Sequence, residues 1–106
     1  MEPIEALARA AFDPAKLAKT NLFDSPRMFL DVYGLLPGQA QKPHRHDDAD
    51  KVYFALQGAG RVTIGSTEHA LSTGQVAVCP AGADHGVRND GATPFVLLVM
   101  MTKRAP

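Results

Sequence analysis

The chain has 106 residues, of which 45% are hydrophobic and 21% charged. This excludes a disordered or fibrous protein and predicts one globular domain over residues 1–106. Eleven basic side chains balance eleven acidic ones, so the net charge gives no reason to expect a nucleic acid partner. The longest apolar run, residues 95–101, is too short to cross a bilayer, and we expect no membrane partner.

The N-terminal sequence and the cysteine content indicate a cellular compartment. Glu2 and Glu5 stand where a secretory signal carries basic residues, and no apolar segment follows them. The single cysteine, Cys79, has no partner for an internal disulfide, so folding does not require an oxidising compartment. Both features predict a cytoplasmic protein.

The first predicted elements are a short helix and a strand. Apolar residues recur at intervals of three and four over residues 4–12, which predicts an amphipathic helix. A polar stretch near residues 19–26 follows, and we assign it no element. Residues 28–36 contain β-branched and aromatic residues that predict a strand, and the following Pro37 and Gly38 predict the turn that ends it.

The rest of the chain predicts short strands joined by turns rich in glycine and proline. Such a series is typical of a β-sandwich or β-barrel. Two of the strands are apolar on both faces, so either the N-terminal segment or a second subunit must cover the outer face, and we expect a homodimer. The predicted strands are residues 40–46, 51–57, 60–64, 68–71, 75–79, 86–89 and 95–101.

Three histidines are the candidate metal ligands. His44 and His46 are two residues apart in a predicted strand, so their side chains point to the same face. His85 follows a tight turn at Pro80 and Gly82 that could deliver it from a neighbouring strand. Three imidazoles suit Zn, Fe, Ni, Cu or Mn to differing degrees. The pair His44 and His46 alone is a weak signal, because surface histidines often show the same spacing.

The spacing of these residues resembles the two motifs of the cupin family. The first motif is glycine, five residues, His-x-His, a glutamate three or four residues later, and a glycine after six more. The second is glycine, five residues, Pro-x-Gly, two residues, histidine, three residues and asparagine. The positions that match are Gly38, His44, His46 and Gly58 in the first motif, and Gly74, Pro80, Gly82, His85 and Asn89 in the second.

The resemblance implies an all-β cupin fold, a double-stranded β-helix or jelly-roll-like barrel, with the predicted short helix at its N-terminus. It also implies that His44, His46 and His85 hold a divalent transition metal inside the barrel. Cupins include oxygenases, isomerases, decarboxylases and sugar-binding proteins, so the resemblance selects no reaction and no catalytic residue. We expect a small-molecule ligand or substrate and, if the protein is an enzyme, dioxygenase-like or isomerase-like chemistry.

One position departs from the family pattern, because Lys51 stands where the motif has its metal-binding glutamate. A protonated lysine has no lone pair for a cation. Three interpretations follow: a metal held by the histidines alone, no metal at all, or an oxygen ligand from Asp48 or Asp50. Strand alternation places Asp50 on the opposite face, so we favour the first interpretation.

Lys51 and Tyr53 share one face of the predicted strand, and we expect both to be candidate pocket residues. Lys51 either leans outward to pair with the acidic residues at 47–50 or faces the pocket, where it could bind a substrate carboxylate or act as a base. For Tyr53 we favour an ordinary core position with a satisfied hydroxyl over a place in the pocket. The alternative function is a metal-free binding or sensory module that holds an anion through Lys51 and the histidines. Cys79 is expected to be a buried thiol, and His69 a surface residue.

Overall fold

The computed structural model describes residues 1–103, and the regular secondary structure of this part is β-strand apart from one turn of 3-10 helix. All eight predicted strands are present, with ends that differ from the prediction by at most two residues. The all-β prediction is therefore confirmed. The strands are β1 (Ala18–Asp24), β2 (Met28–Leu35), β3 (Ala40–Arg45), β4 (Lys51–Gln57), β5 (Ala59–Ile64), β6 (Thr67–Ser72), β7 (Val76–Cys79), β8 (Asp84–Arg88) and β9 (Phe95–Thr102).

Strand β1 was not predicted, since its sequence is mostly polar. It forms the edge of a sheet and pairs only with β2, so most of its residues stay at least partly exposed. The side-chain amide of Asn21 donates a hydrogen bond of 2.8 Å to the Asp31 carboxylate on β2. Pairing with a neighbour, rather than an apolar pattern, makes this segment a strand.

The predicted helix over residues 4–12 is wrong, because only Leu7–Arg9 forms a turn of 3-10 helix. No side chain caps its start, and the backbone is already extended at Ala10. Leu7 is 45% exposed and Phe12 42% exposed, so the apolar spacing does not produce a buried helical face. A helix this short is unstable in water unless packing supports it.

The strands form two sheets, and every strand pairing within them is antiparallel. The orders are β1-β2-β9-β4-β7 in the five-stranded sheet and β3-β8-β5-β6 in the four-stranded sheet. Alternate residues of both sheets point inward and form one core, which includes Leu35, Phe95 and Leu97 from the larger sheet and Val62 and Val87 from the smaller. This arrangement is the double-stranded β-helix that the motifs imply.

The outer face of the five-stranded sheet is partly covered by the N-terminal segment. The carbonyl of Ala11 and the ring of Phe12 lie directly against Gly34 of β2, where a larger residue would not fit. Farther along the sheet, Val76 and Val78 of β7 each remain 55% exposed. The N-terminal segment thus covers only one part of the face, and the homodimer stays a prediction. In the described part of the chain, no helix has the length and apolar character needed to span a bilayer.

Candidate metal centre in the barrel

The structure brings the three predicted ligand histidines together. His44 of β3 lies opposite His85 of β8, and His46 follows one residue after the end of β3. One ring nitrogen from each histidine lies within 4.8 Å of the other two. The backbone N–H of Gly82 donates a hydrogen bond of 2.9 Å to the His46 carbonyl, so the turn before His85 is tied to the segment that carries His46.

The hydrogen bonds of His44 orient its ring for a cation. Its Nδ1 lies 3.0 Å from the Lys42 carbonyl oxygen, which can only accept, so Nδ1 carries the proton. The lone pair is then on Nε2, which lies 3.2 Å from Nε2 of His85. Metal-binding histidines in proteins are held by the same kind of backbone contact on their other ring nitrogen.

His85 is the most enclosed of the three ligands, with 1% of its surface exposed. Burial, together with the nearby positive charge of Lys51, lowers the pKa of His85 to about 4. The imidazole is therefore neutral at pH 7, and a neutral imidazole is the form that binds a metal ion. His44 and His46 are only half-buried, so the centre opens toward solvent on their side.

The geometry fits a single divalent ion. Two imidazole nitrogens bound to one ion at about 2.0–2.1 Å stand about 2.8–3.4 Å apart for coordination angles between 90° and the tetrahedral value. The separation of 3.2 Å between the Nε2 atoms of His44 and His85 falls in this range. The same separation also permits a hydrogen bond between the two rings, so the distance supports a metal without requiring one.

Lys51 faces the interior of the barrel and is 2% exposed. Its ammonium donates a hydrogen bond of 3.2 Å to Oε1 of Gln41 and lies 5.2 Å and 5.4 Å from the ring centroids of Tyr53 and Tyr33. Lys51 therefore does not lean outward to form an ion pair with the acidic residues at 47–50. Desolvation, followed by repulsion from Lys19, lowers the pKa of Lys51 to about 8.

The structure gives no oxygen ligand in place of the family's glutamate. Asp50 faces away from the histidines, as strand alternation predicts, and its carboxylate accepts a hydrogen bond of 2.8 Å from the Ala81 N–H. Within residues 1–103, the cluster of potential ligand atoms contains His44, His46 and His85 and neither Asp48 nor Asp50. Among the described residues, the arrangement of side chains therefore gives no support to the third interpretation of the Lys51 position.

Gln41 is the site residue that the sequence reasoning missed. Its side-chain oxygen accepts hydrogen bonds from both Lys51 and Tyr53, the latter at 3.3 Å. Simple alternation would place Gln41 on the face opposite His44, but β3 has an extra residue between them relative to β8. This β-bulge turns Gln41 inward. Pro43 within the predicted strand was a usable signal, because proline in a strand marks an edge or a bulge.

The remaining candidates have structural positions. Tyr53 is fully buried, and burial raises the pKa of its hydroxyl, which stays a hydrogen-bond donor. Cys79 is also fully buried, and desolvation raises the pKa of its thiol to about 11. His69 is exposed on β6. The expectations for Cys79 and His69 are confirmed, whereas the pocket role of Lys51 and Tyr53 stays a prediction.

A groove of about 850 Å³ lies away from this centre, between residues 13–19 and the turn at residues 38–40. None of the histidines, nor Lys51 or Tyr53, lines it. This groove and the histidine centre therefore occupy different parts of the described chain.

A double-stranded β-helix with convergent histidines from two neighbouring strands is the architecture of the cupins, and the chain belongs to this family. Residues 31–101 match the family described as the cupin domain. The match includes most of β2, all of β3 to β8 and most of β9, together with all three histidines. The resemblance seen in the two sequence motifs is thus confirmed.

Individual relatives agree with this assignment. The crystal structure of TT1209 from Thermus thermophilus superposes with a TM-score of 0.94, is 49% identical, and the match covers 98% of this chain and 99% of that one. An uncharacterized protein of Streptomyces coelicolor is 33% identical over 93% of this chain and 90% of its own length. The dimethylsulfoniopropionate lyase DddW of Ruegeria pomeroyi is 36% identical, but the match covers 58% of this chain and only 41% of the lyase.

Proposed function

We propose that this cupin binds one divalent transition metal inside the barrel through His44, His46 and His85 and uses it to bind or transform a small molecule. The observation that carries the proposal is the convergence of three ring nitrogens within 4.8 Å of one another. Three protein ligands leave coordination positions for water or a substrate, as in catalytic rather than structural metal sites.

The metal would act as a Lewis acid that polarises an oxygen atom of the bound small molecule. The chain's own residues have other tasks. The Lys42 carbonyl orients the ring of His44, and the enclosure of His85 keeps that ring neutral. The side of the centre formed by His44 and His46 gives a small molecule its access, because these rings are half-buried. Oxygenase-like and isomerase-like reactions are both compatible with this arrangement, and no catalytic residue is assigned.

Elemental analysis of protein purified without an affinity tag tests the metal centre. We expect about one transition metal per chain in the wild type and a loss of metal affinity of at least about 100-fold in His85→Ala, because a ligand and its enclosed position are both lost. The matched control is His69→Ala, which removes an exposed histidine of β6 and should leave the metal content unchanged. Equal metal content in wild type and His85→Ala would contradict the proposal.

A metal-free binding or sensory module is the second candidate, and the burial of Lys51 favours it. An ammonium at the glutamate position repels a cation and attracts an anion. In this case the wild type holds no metal, whereas Lys51→Glu, which restores the family's residue, does. The two candidates are distinguished by measuring metal content in wild type and Lys51→Glu side by side.

A further inference from the structure

The barrel interior contains a buried cation with few partners. Lys51 is 2% exposed, and its ammonium has three N–H donors, of which one contacts Gln41. Within the described residues, no carboxylate oxygen lies within 4.0 Å of this ammonium. Asp31 acts on Lys51 only at a distance, and its carboxylate already accepts a hydrogen bond from Asn21.

Among residues 1–103, the positive charge of Lys51 has no carboxylate in contact with it and only the distant Asp31 to compensate it. The three histidines contribute neutral ligands, so a divalent ion bound by them would keep its full charge. In the family pattern a glutamate removes one of these charges, whereas Lys51 adds one. The side-chain acceptor of the ammonium, Oε1 of Gln41, is neutral and is shared with the Tyr53 hydroxyl.

A bound ligand would supply the negative charge that Lys51 lacks as a partner, and the residues around the ammonium indicate the chemical class of this ligand. The rings of Tyr33 and Tyr53 flank the ammonium and would border a flat group better than a tetrahedral one. Phosphate sites in proteins use several converging N–H donors, often at helix N-termini or from arginine. Lys51 is a single point charge, which is sufficient for one carboxylate.

We propose that the ligand of this barrel is a small carboxylate, held by the Lys51 ammonium beside the three-histidine centre, with Lys51 as the residue that determines this specificity. The inference rests on the proposed metal function and extends it to the class of ligand. Gln41 is a positioning residue in this arrangement, because its side-chain oxygen fixes where the ammonium lies. Replacing the family's glutamate by lysine thus exchanges an internal carboxylate for one brought by the ligand.

The test compares acetate with its neutral isostere acetamide on Zn²⁺-loaded protein, with affinities measured by NMR titration. We expect the wild type to bind acetate at least ten times more tightly than acetamide. Lys51→Met should weaken acetate binding at least tenfold and leave acetamide binding unchanged. Lys19→Met is the matched control: Lys19 also lies over the Tyr33 ring, at 5.2 Å, but is exposed, and its loss should change acetate affinity less than twofold.

The outcomes separate this inference from the metal proposal. Metal-loaded wild type that does not prefer acetate, or a preference that survives Lys51→Met, would overturn the inference and leave the metal centre intact. Wild type without metal that still prefers acetate in a Lys51-dependent manner would overturn the metal centre and support the role of Lys51. A preference for sulfate over acetate would overturn the carboxylate class. If Lys51→Met does not fold, Lys51→Gln, which keeps a polar side chain without the charge, takes its place. An acetate preference that survives in Lys51→Gln would likewise overturn the inference.

Discussion

The two sheets contribute different chemistry to the same interior. The four-stranded sheet carries His44 and His85, which offer neutral nitrogen lone pairs, whereas the five-stranded sheet carries Lys51 and Tyr53, which both act as hydrogen-bond donors in the interior. The rings of Tyr53 and His85 are 6.4 Å apart, so the two groups are close neighbours. One side of the barrel is thus suited to a cation and the other to an anion. Gln41 of β3 connects them by accepting from both donors of the opposite sheet.

Removing the charge from the five-stranded side should give the largest change in stability. Burial lowers the pKa of Lys51 from 10.5 to about 8, which corresponds to a cost of up to about 3 kcal/mol at pH 7. Lys51→Met keeps a long side chain without the charge, so we expect its free energy of unfolding in the absence of ligand to exceed that of the wild type by up to this amount. Urea unfolding of both proteins measures the difference.

The difference in unfolding free energy between the wild type and Lys51→Met should depend on pH. In the unfolded chain the lysine keeps its proton up to its ordinary pKa, so the unfolded state binds more protons than the folded state between pH 8 and pH 10.5. The wild type therefore gains stability relative to Lys51→Met across this range. The comparison with the variant is needed because the raised pKa values of Cys79 and Tyr33 act in the opposite direction. A gap between the two proteins that stays constant from pH 7 to pH 10.5 would contradict the assigned burial of the ammonium.

Removing Gln41, which connects the two sheets, should have an intermediate effect on the free energy of unfolding. Gln41→Ala leaves the Lys51 ammonium and the Tyr53 hydroxyl without their shared acceptor, and we expect a loss of about 1–3 kcal/mol in unfolding free energy. Gln75→Ala is a matched control, because Oε1 of Gln75 also accepts two hydrogen bonds, both from Ser72, but at an exposed turn. Water can replace that glutamine, so the control should lose less than about 1 kcal/mol. Equal losses in unfolding free energy in the two variants would contradict the role of Gln41 as a shared acceptor in the interior.

The smallest effect is expected from Tyr53→Phe. The hydroxyl donates one hydrogen bond of 3.3 Å to Gln41, and the net worth of such a bond is about 1 kcal/mol. Lys51 still satisfies the Gln41 oxygen in this variant, so no buried acceptor is left alone. Combining Tyr53→Phe with Gln41→Ala should give less than the sum of the two losses, because both changes remove the same contact. Additive losses would place the two residues in separate networks.

The elements that were predicted correctly are those whose signal is local. Strand β4 consists mainly of apolar residues that favour a buried strand before any tertiary contact is considered. The turn at Pro80 and Gly82 contains residue types that favour a bend. Strand β1 and the N-terminal segment were misassigned for opposite reasons. The polar sequence of β1 becomes a strand through pairing with β2, and the helical spacing near Leu7 gains no buried face to stabilise a helix.

The cupin family and the three histidines could be predicted from the sequence, because motif spacing along a chain records which residues a fixed strand geometry brings together. The enclosure of Lys51 and its contact with Gln41 became visible in the folded chain. The inward position of Gln41 comes from the β-bulge before His44, which reverses the alternation of side chains within β3. The enclosure of the Lys51 ammonium comes from Gln41, Tyr33 and Tyr53, and two of these three residues lie on other strands, so the local sequence around Lys51 does not show it.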